Sequence, residues 1–125
     1  MVELSRPHAG VLGALSPEAA LAVLRHIMNV WELDWLDATA LVSGTTNDMT
    51  TIEWTEDRRI RAAYLNELEK ALIELNPKTG IARWIATPNP GPFFAGNSPL
   101  QLITGGPREM MGLLRQIRQW TDSKP

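Results

Sequence analysis

The sequence predicts an all-α fold, with a degenerate helix-turn-helix outline in its N-terminal half and a small helical unit in its C-terminal half. Three observations carry that expectation. No segment alternates polar and apolar residues at period two for long enough to make a strand. Apolar residues recur instead at helical spacing, as in Ala20, Leu24, Ile27, Met28 and Trp31. Helix-start signals also precede such stretches, at Ser16-Pro17-Glu18, Thr55-Glu56-Asp57 and Ser98-Pro99.

Composition bounds the problem. A chain of 125 residues makes one domain, or two small helical subdomains sharing a core. A hydrophobic share of 44% with 21% charged residues belongs to a folded protein. The absence of cysteine excludes disulfides and thiolate metal sites, which fits a reducing, cytoplasmic location. The N-terminal Met1–His8 stretch has no apolar leader core and no apolar run reaches membrane-spanning length, so no membrane partner is expected. Net charge is −2 but unevenly spread. Residues 1–54 hold two cations against seven anions, whereas residues 77–125 hold six cations against two anions. The two halves are built to face different partners.

Taken in order, residues 1–15 contain Pro7, Gly10 and Gly13 and read as a flexible arm. Residues 16–58 form the degenerate helix-turn-helix region. Ser16 caps its first helix with Pro17 at the first position. His26 adjoins the apolar stripe and reads as a surface histidine, since no second histidine or carboxylate has ligand spacing to it in sequence. Asp34 caps a second helix reaching Val42, with Leu36, Ala40 and Leu41 inward, and Gly44 ends it. A third short helix would run from Asn47 to Trp54. The candidate DNA contacts are Thr46, Asn47 and Thr50 there, with Arg58 and Arg59 just beyond. The helix itself carries Asp48, Glu53 and no cation, and an anionic half repels a polyanion. Structural use of the motif is the stronger reading and DNA binding the competing one.

Residues 59–125 form the second region. The longest helix starts after Thr55 and runs to Leu75. Ile60, Tyr64, Leu68, Ala71, Leu72 and Leu75 face inward, and Arg58, Arg59, Arg61, Glu67, Glu69, Lys70 and Glu74 line the wet side. A further helix is expected from Pro77 to Ala86, with Ile81, Trp84 and Ile85 apolar and Gly80 weakening it. It stops at a stiff corner, Thr87-Pro88-Asn89-Pro90, because each proline fixes its own φ and pushes the residue before it to extended geometry. A loop carrying Phe93 and Phe94 follows. Adjacent rings in a loop do not bury readily in one direction, so at least one is a candidate interface anchor. Ser98-Pro99 opens a short helix, and Gly105-Gly106-Pro107 opens the last one, whose stripe is Met110, Leu113, Leu114, Ile117 and Trp120.

Catalytic signatures are missing. There is no phosphate loop, no G-x-G-x-x-G, no H-E-x-x-H and no G-x-S-x-G, and His8 and His26 are the only histidines. The expectation is therefore a binding protein with no catalytic residue, no cofactor and no metal.

The run Trp84-Ile85-Ala86-Thr87-Pro88-Asn89-Pro90, then Gly96-Asn97-Ser98-Pro99-Leu100-Gln101-Leu102-Ile103 and a closing helix, resembles the toxin-binding domain of Xre/MbcA/ParS-type antitoxins. The resemblance covers about residues 60–120, and residues 16–54 resemble the family's Xre-like helix-turn-helix more faintly. Two features depart from the family pattern: Gly91–Ala95 replaces the usual residues before the glycine, with Ala95 in place of one glycine of a pair, and the N-terminal motif has Ser43, Thr45 and Glu53 where apolar packing residues are expected. The resemblance implies an all-α antitoxin of a type II toxin–antitoxin system that autoregulates its operon. Its partner would be a RES-domain toxin that degrades NAD⁺, and it would form a homodimer through its C-terminal helices. Neutralisation would come from occluding the toxin's active site, which points to Phe93, Phe94, Arg115, Arg118, Trp120 and Lys124 as toxin contacts. Trp84, Thr87, Pro88, Asn89, Ser98 and Pro99 would shape the motif. The alternative is a helix-turn-helix transcriptional regulator with no toxin partner.

Overall fold

Ser16 starts the first helix as its sequence prescribes: its side chain accepts a hydrogen bond from the Ala19 amide at 3.2 Å, and Pro17 takes the first helical position. The computed structural model describes residues 13–43 and 53–123, and among them it contains six helices and no strand. They are α1 (Pro17–Val30), α2 (Trp35–Ser43), α3 (Glu56–Leu75), α4 (Ile81–Ala86), α5 (Pro99–Ile103) and α6 (Pro107–Asp122). The described part of the chain is all-α. No described helix is long and apolar enough to cross a membrane.

The organising element is α3, which packs against α1, α2 and α6. Its Tyr64, Leu65, Leu68 and Leu72 meet Leu24, Ile27 and Trp31 from the N-terminal side and Met110, Leu113, Leu114 and Ile117 from α6 in one continuous core. Fully burying a leucine or isoleucine side chain contributes roughly 1.5–3 kcal/mol, so this shared core is what joins the two regions. Leu15 is tied to the same helix. Its amide donates to the Arg59 carbonyl at 3.4 Å, and Arg59 Nη1 donates back to the Leu15 carbonyl at 3.2 Å.

The helix ends explain themselves locally. After α1, Glu32 sits at φ 57°, and the Leu33 amide reaches back to the Met28 carbonyl at 2.9 Å. That six-to-one bond is a Schellman closure, with glutamate where glycine usually stands. Asp34 Oδ1 accepts from the Asp37 amide at 2.8 Å and so starts α2, as expected. Thr55 caps α3 at the Arg58 amide, 3.3 Å away, and left-handed Asn76 closes it.

Several expectations are corrected. The helix expected from Pro77 begins only at Ile81, because Gly80 adopts φ 89° and caps it. Leu36 points outward and is 42% exposed, while Ala38, Thr39 and Val42 fill the interior of α2. Glu69, Arg59 and Arg61 were expected on the wet face of α3, yet Glu69 is buried and the two arginines are half-buried. The third helix of the helix-turn-helix outline falls mostly outside the described residues, as does Gly44. Of that stretch only Glu53 and Trp54 are described, and neither is helical.

Candidate functional site

The chain turns after α4 through a short, heavily hydrogen-bonded corner. Thr87 is extended, as a residue before proline must be, and its Oγ1 donates to the Arg83 carbonyl at 2.6 Å. Asn89 fastens the corner twice. Its Oδ1 accepts from the Gly91 amide at 2.8 Å, and its own amide donates to the Asn97 carbonyl at 3.0 Å, joining the two ends of the loop. Ser98 and Gln101 then form a reciprocal capping box at the start of α5: Gln101 N to Ser98 Oγ at 3.1 Å, and Ser98 N to Gln101 Oε1 at 2.8 Å. Pro99 is buried at the first position of that helix. Pro88 and Pro90 are exposed and stiffen the turn from outside.

What the corner holds in place is a cluster of rings. Trp84 meets Phe94 and Trp120 edge to face, with centroids 6.3 Å apart in both pairs. Phe94 and Trp120 close the triangle at 6.2 Å. Each such pair contributes about 0.5–1.5 kcal/mol beyond the area it buries. The two phenylalanines part company. Phe94 is 1% exposed and belongs to the core. Phe93 is 41% exposed, touches Phe94 edge-on at 5.1 Å, and lies over Gly112 of α6. Any partner contact from this pair therefore falls to Phe93. The lack of a side chain on Gly112 leaves room for the Phe93 ring.

Trp84 and Trp120 are half-buried, each packing against the core while also lining an open cleft of about 600 Å³. Leu75 and Pro77 complete its apolar floor, and Asn76, Lys78, Thr79 and Asn89 rim it. A second cleft of about 670 Å³ lies between the α1–α2 junction and α4, with Glu32, Asp37 and Arg83 on its walls. His26 lines neither cleft.

The expected site residues scatter in an informative way. Arg115 is exposed on α6, and Arg118 is exposed with Nη2 3.5 Å from Glu67 Oε1. Phe93, Trp120 and Trp84 gather at or beside the aromatic cluster. Lys124 lies outside the described residues, as do Thr46, Asn47 and Thr50. Arg58 and Arg59 spend guanidinium donors on the chain itself: Arg58 Nη1 on the Glu53 carbonyl at 2.9 Å, and Arg59 Nη1 on Leu15. Among the described residues, no cluster of three or more histidine, aspartate or glutamate side chains is placed to hold a metal ion.

The residues missed by sequence reasoning are Leu75, Asn76, Pro77 and Lys78. Their signal was present, since Asn-Pro followed by Gly80 reads as a turn rather than as a helix start. No family model matches the chain, and no curated protein or solved structure is significantly similar to it.

Proposed function

We propose that this chain is the antitoxin of a type II toxin–antitoxin pair, binding a RES-domain NAD⁺-degrading toxin through its C-terminal half and occluding the toxin's active site. The observation that carries the reading is the use made of the Trp84–Asn89 and Ser98–Pro99 signatures. Every polar residue in them that could shape a surface does so: Asn89 clamps the loop, Ser98 caps α5, and the result presents Phe93, Trp84 and Trp120 at the surface. Partly exposed aromatic side chains on a rigid frame are the usual anchors of a protein interface.

Charge supports the same half of the chain. From Lys78 to Asp122 the described chain carries five cations against two anions, and Lys78, Arg83, Arg108 and Arg115 pair with no described carboxylate. Such charges steer a partner of opposite sign and raise its association rate. The reading includes a homodimer and no catalytic activity of the chain's own. DNA contact by the N-terminal half is less well supported, because Arg58 and Arg59 are engaged internally.

The test is co-expression. The product of the adjacent gene should be a RES-domain protein that arrests growth alone and is harmless when this chain is made with it. Arrest that persists at full expression of the folded chain would refute the proposal.

A further inference from the structure

We infer that the open cleft between Trp84 and Trp120 seats one bulky apolar side chain of a partner segment that carries carboxylates beside that anchor. The inference deepens the toxin-binding reading by naming the chemistry of the segment that docks. Its geometry is that of an anchor pocket. Two indole rings and Leu75 and Pro77 supply an apolar lining, and the cleft is open to solvent. A free small molecule would leave much of its surface in water in so open a site, whereas a side chain delivered by a protein is covered by the rest of that protein.

Charge selects the partner. Among the described residues no carboxylate lines the cleft, and Lys78 stands on its rim, exposed and without a described ion-pair partner. Asn89 adds a donor: its Oδ1 is occupied by the Gly91 amide, which leaves the side-chain N–H₂ to meet a main-chain carbonyl of the incoming segment. An anionic flank is therefore attracted and a cationic flank repelled.

The experiment uses the full chain, labelled with nitrogen-15, and three capped hexapeptides: tryptophan between glutamates, tryptophan between lysines, and alanine between glutamates. The indole N–H resonances of Trp84 and Trp120 should move with the first peptide while that of Trp31 stays in place. At low salt the glutamate peptide should bind at least about fivefold tighter than the lysine peptide, and Lys78→Glu should invert that order. Trp120→Ala should abolish binding while the remaining indole resonances keep their dispersion. Equal affinity for the two tryptophan peptides, an unaltered preference in Lys78→Glu, or perturbations confined to another face would overturn the assignment. A RES-domain toxin that binds the wild-type chain, Lys78→Glu and Trp120→Ala equally would also overturn it, leaving the antitoxin reading in place. Peptide binding as described with no toxin bound would do the reverse.

Discussion

The indole N–H of Trp31 donates to Oε1 of Glu69 across 2.8 Å, and the other oxygen of that carboxylate lies 3.4 Å from Nε2 of His26. The bond joins the end of α1 to the middle of α3, and Glu69 is only 5% exposed. A buried carboxylate is tolerated when it is hydrogen-bonded, and a buried indole N–H needs an acceptor.

Glu69→Ala removes that acceptor and leaves the Trp31 donor unpaired, so it should destabilise the fold by about 1–3 kcal/mol. Glu69→Gln keeps an oxygen for the indole and should cost less than half as much. Urea denaturation of the two variants checks the difference. Equal losses would mean that charge, and not the Trp31 bond, gives Glu69 its role.

Glu32 and Ala95 hold left-handed backbone, at φ 57° and φ 52°, without being glycine. That conformation costs an ordinary residue about 1–2 kcal/mol, partly offset by the greater freedom glycine has in the unfolded chain. Glu32→Gly and Ala95→Gly should each stabilise the protein by about 0.5 kcal/mol, and Ala95→Val should destabilise it. Thermal melts decide the sign, and a loss in both glycine variants would contradict the backbone account.

The adjacent phenylalanines should separate cleanly. Phe94→Ala empties a core position and should cost about 3–5 kcal/mol. Phe93→Ala removes a half-exposed ring resting on Gly112 and should cost about 1 kcal/mol while weakening binding to the proposed toxin partner. Paired stability and binding measurements test this, and equal destabilisation by the two changes would go against it.

Much of this architecture was legible in the sequence because its devices are local. Ser16-Pro17, Asp34, Thr55 and Ser98-Pro99 start helices where capping chemistry says they should. The stripe from Ala20 to Trp31 and that from Met110 to Ile117 face the core. What was not legible depended on contacts distant in sequence. Glu69 has the look of a solvated helix position until Trp31 and His26 arrive from α1. The inward turn of Arg59 needs the Leu15 carbonyl. The divergence of Phe93 from Phe94 needs the bare Gly112 on α6 and the Trp84–Trp120 cluster. Gly80 is a different case: its positive φ was within reach of sequence reasoning, but the helical pattern around Ile81 and Trp84 outweighed it.

Charge on α6 should matter for binding and little for folding. Arg115 and Arg118 are exposed, and the contact of Arg118 with Glu67 is long at 3.5 Å. The double change Arg115→Glu with Arg118→Glu should alter stability by less than about 0.5 kcal/mol. It should slow association with the proposed toxin partner and make the remaining binding less dependent on salt. Stopped-flow association at two ionic strengths, beside a melt, reads both effects. Unchanged association would remove these arginines from the interface.

The proposed antitoxin function is tested most directly by mixing this purified chain with the purified product of the adjacent gene, the proposed RES-domain toxin, and following NAD⁺ consumption. The account predicts that consumption falls in proportion to added chain and stops when the toxin is saturated, with the two proteins eluting as one complex. NAD⁺ loss at an undiminished rate in excess folded chain would contradict it.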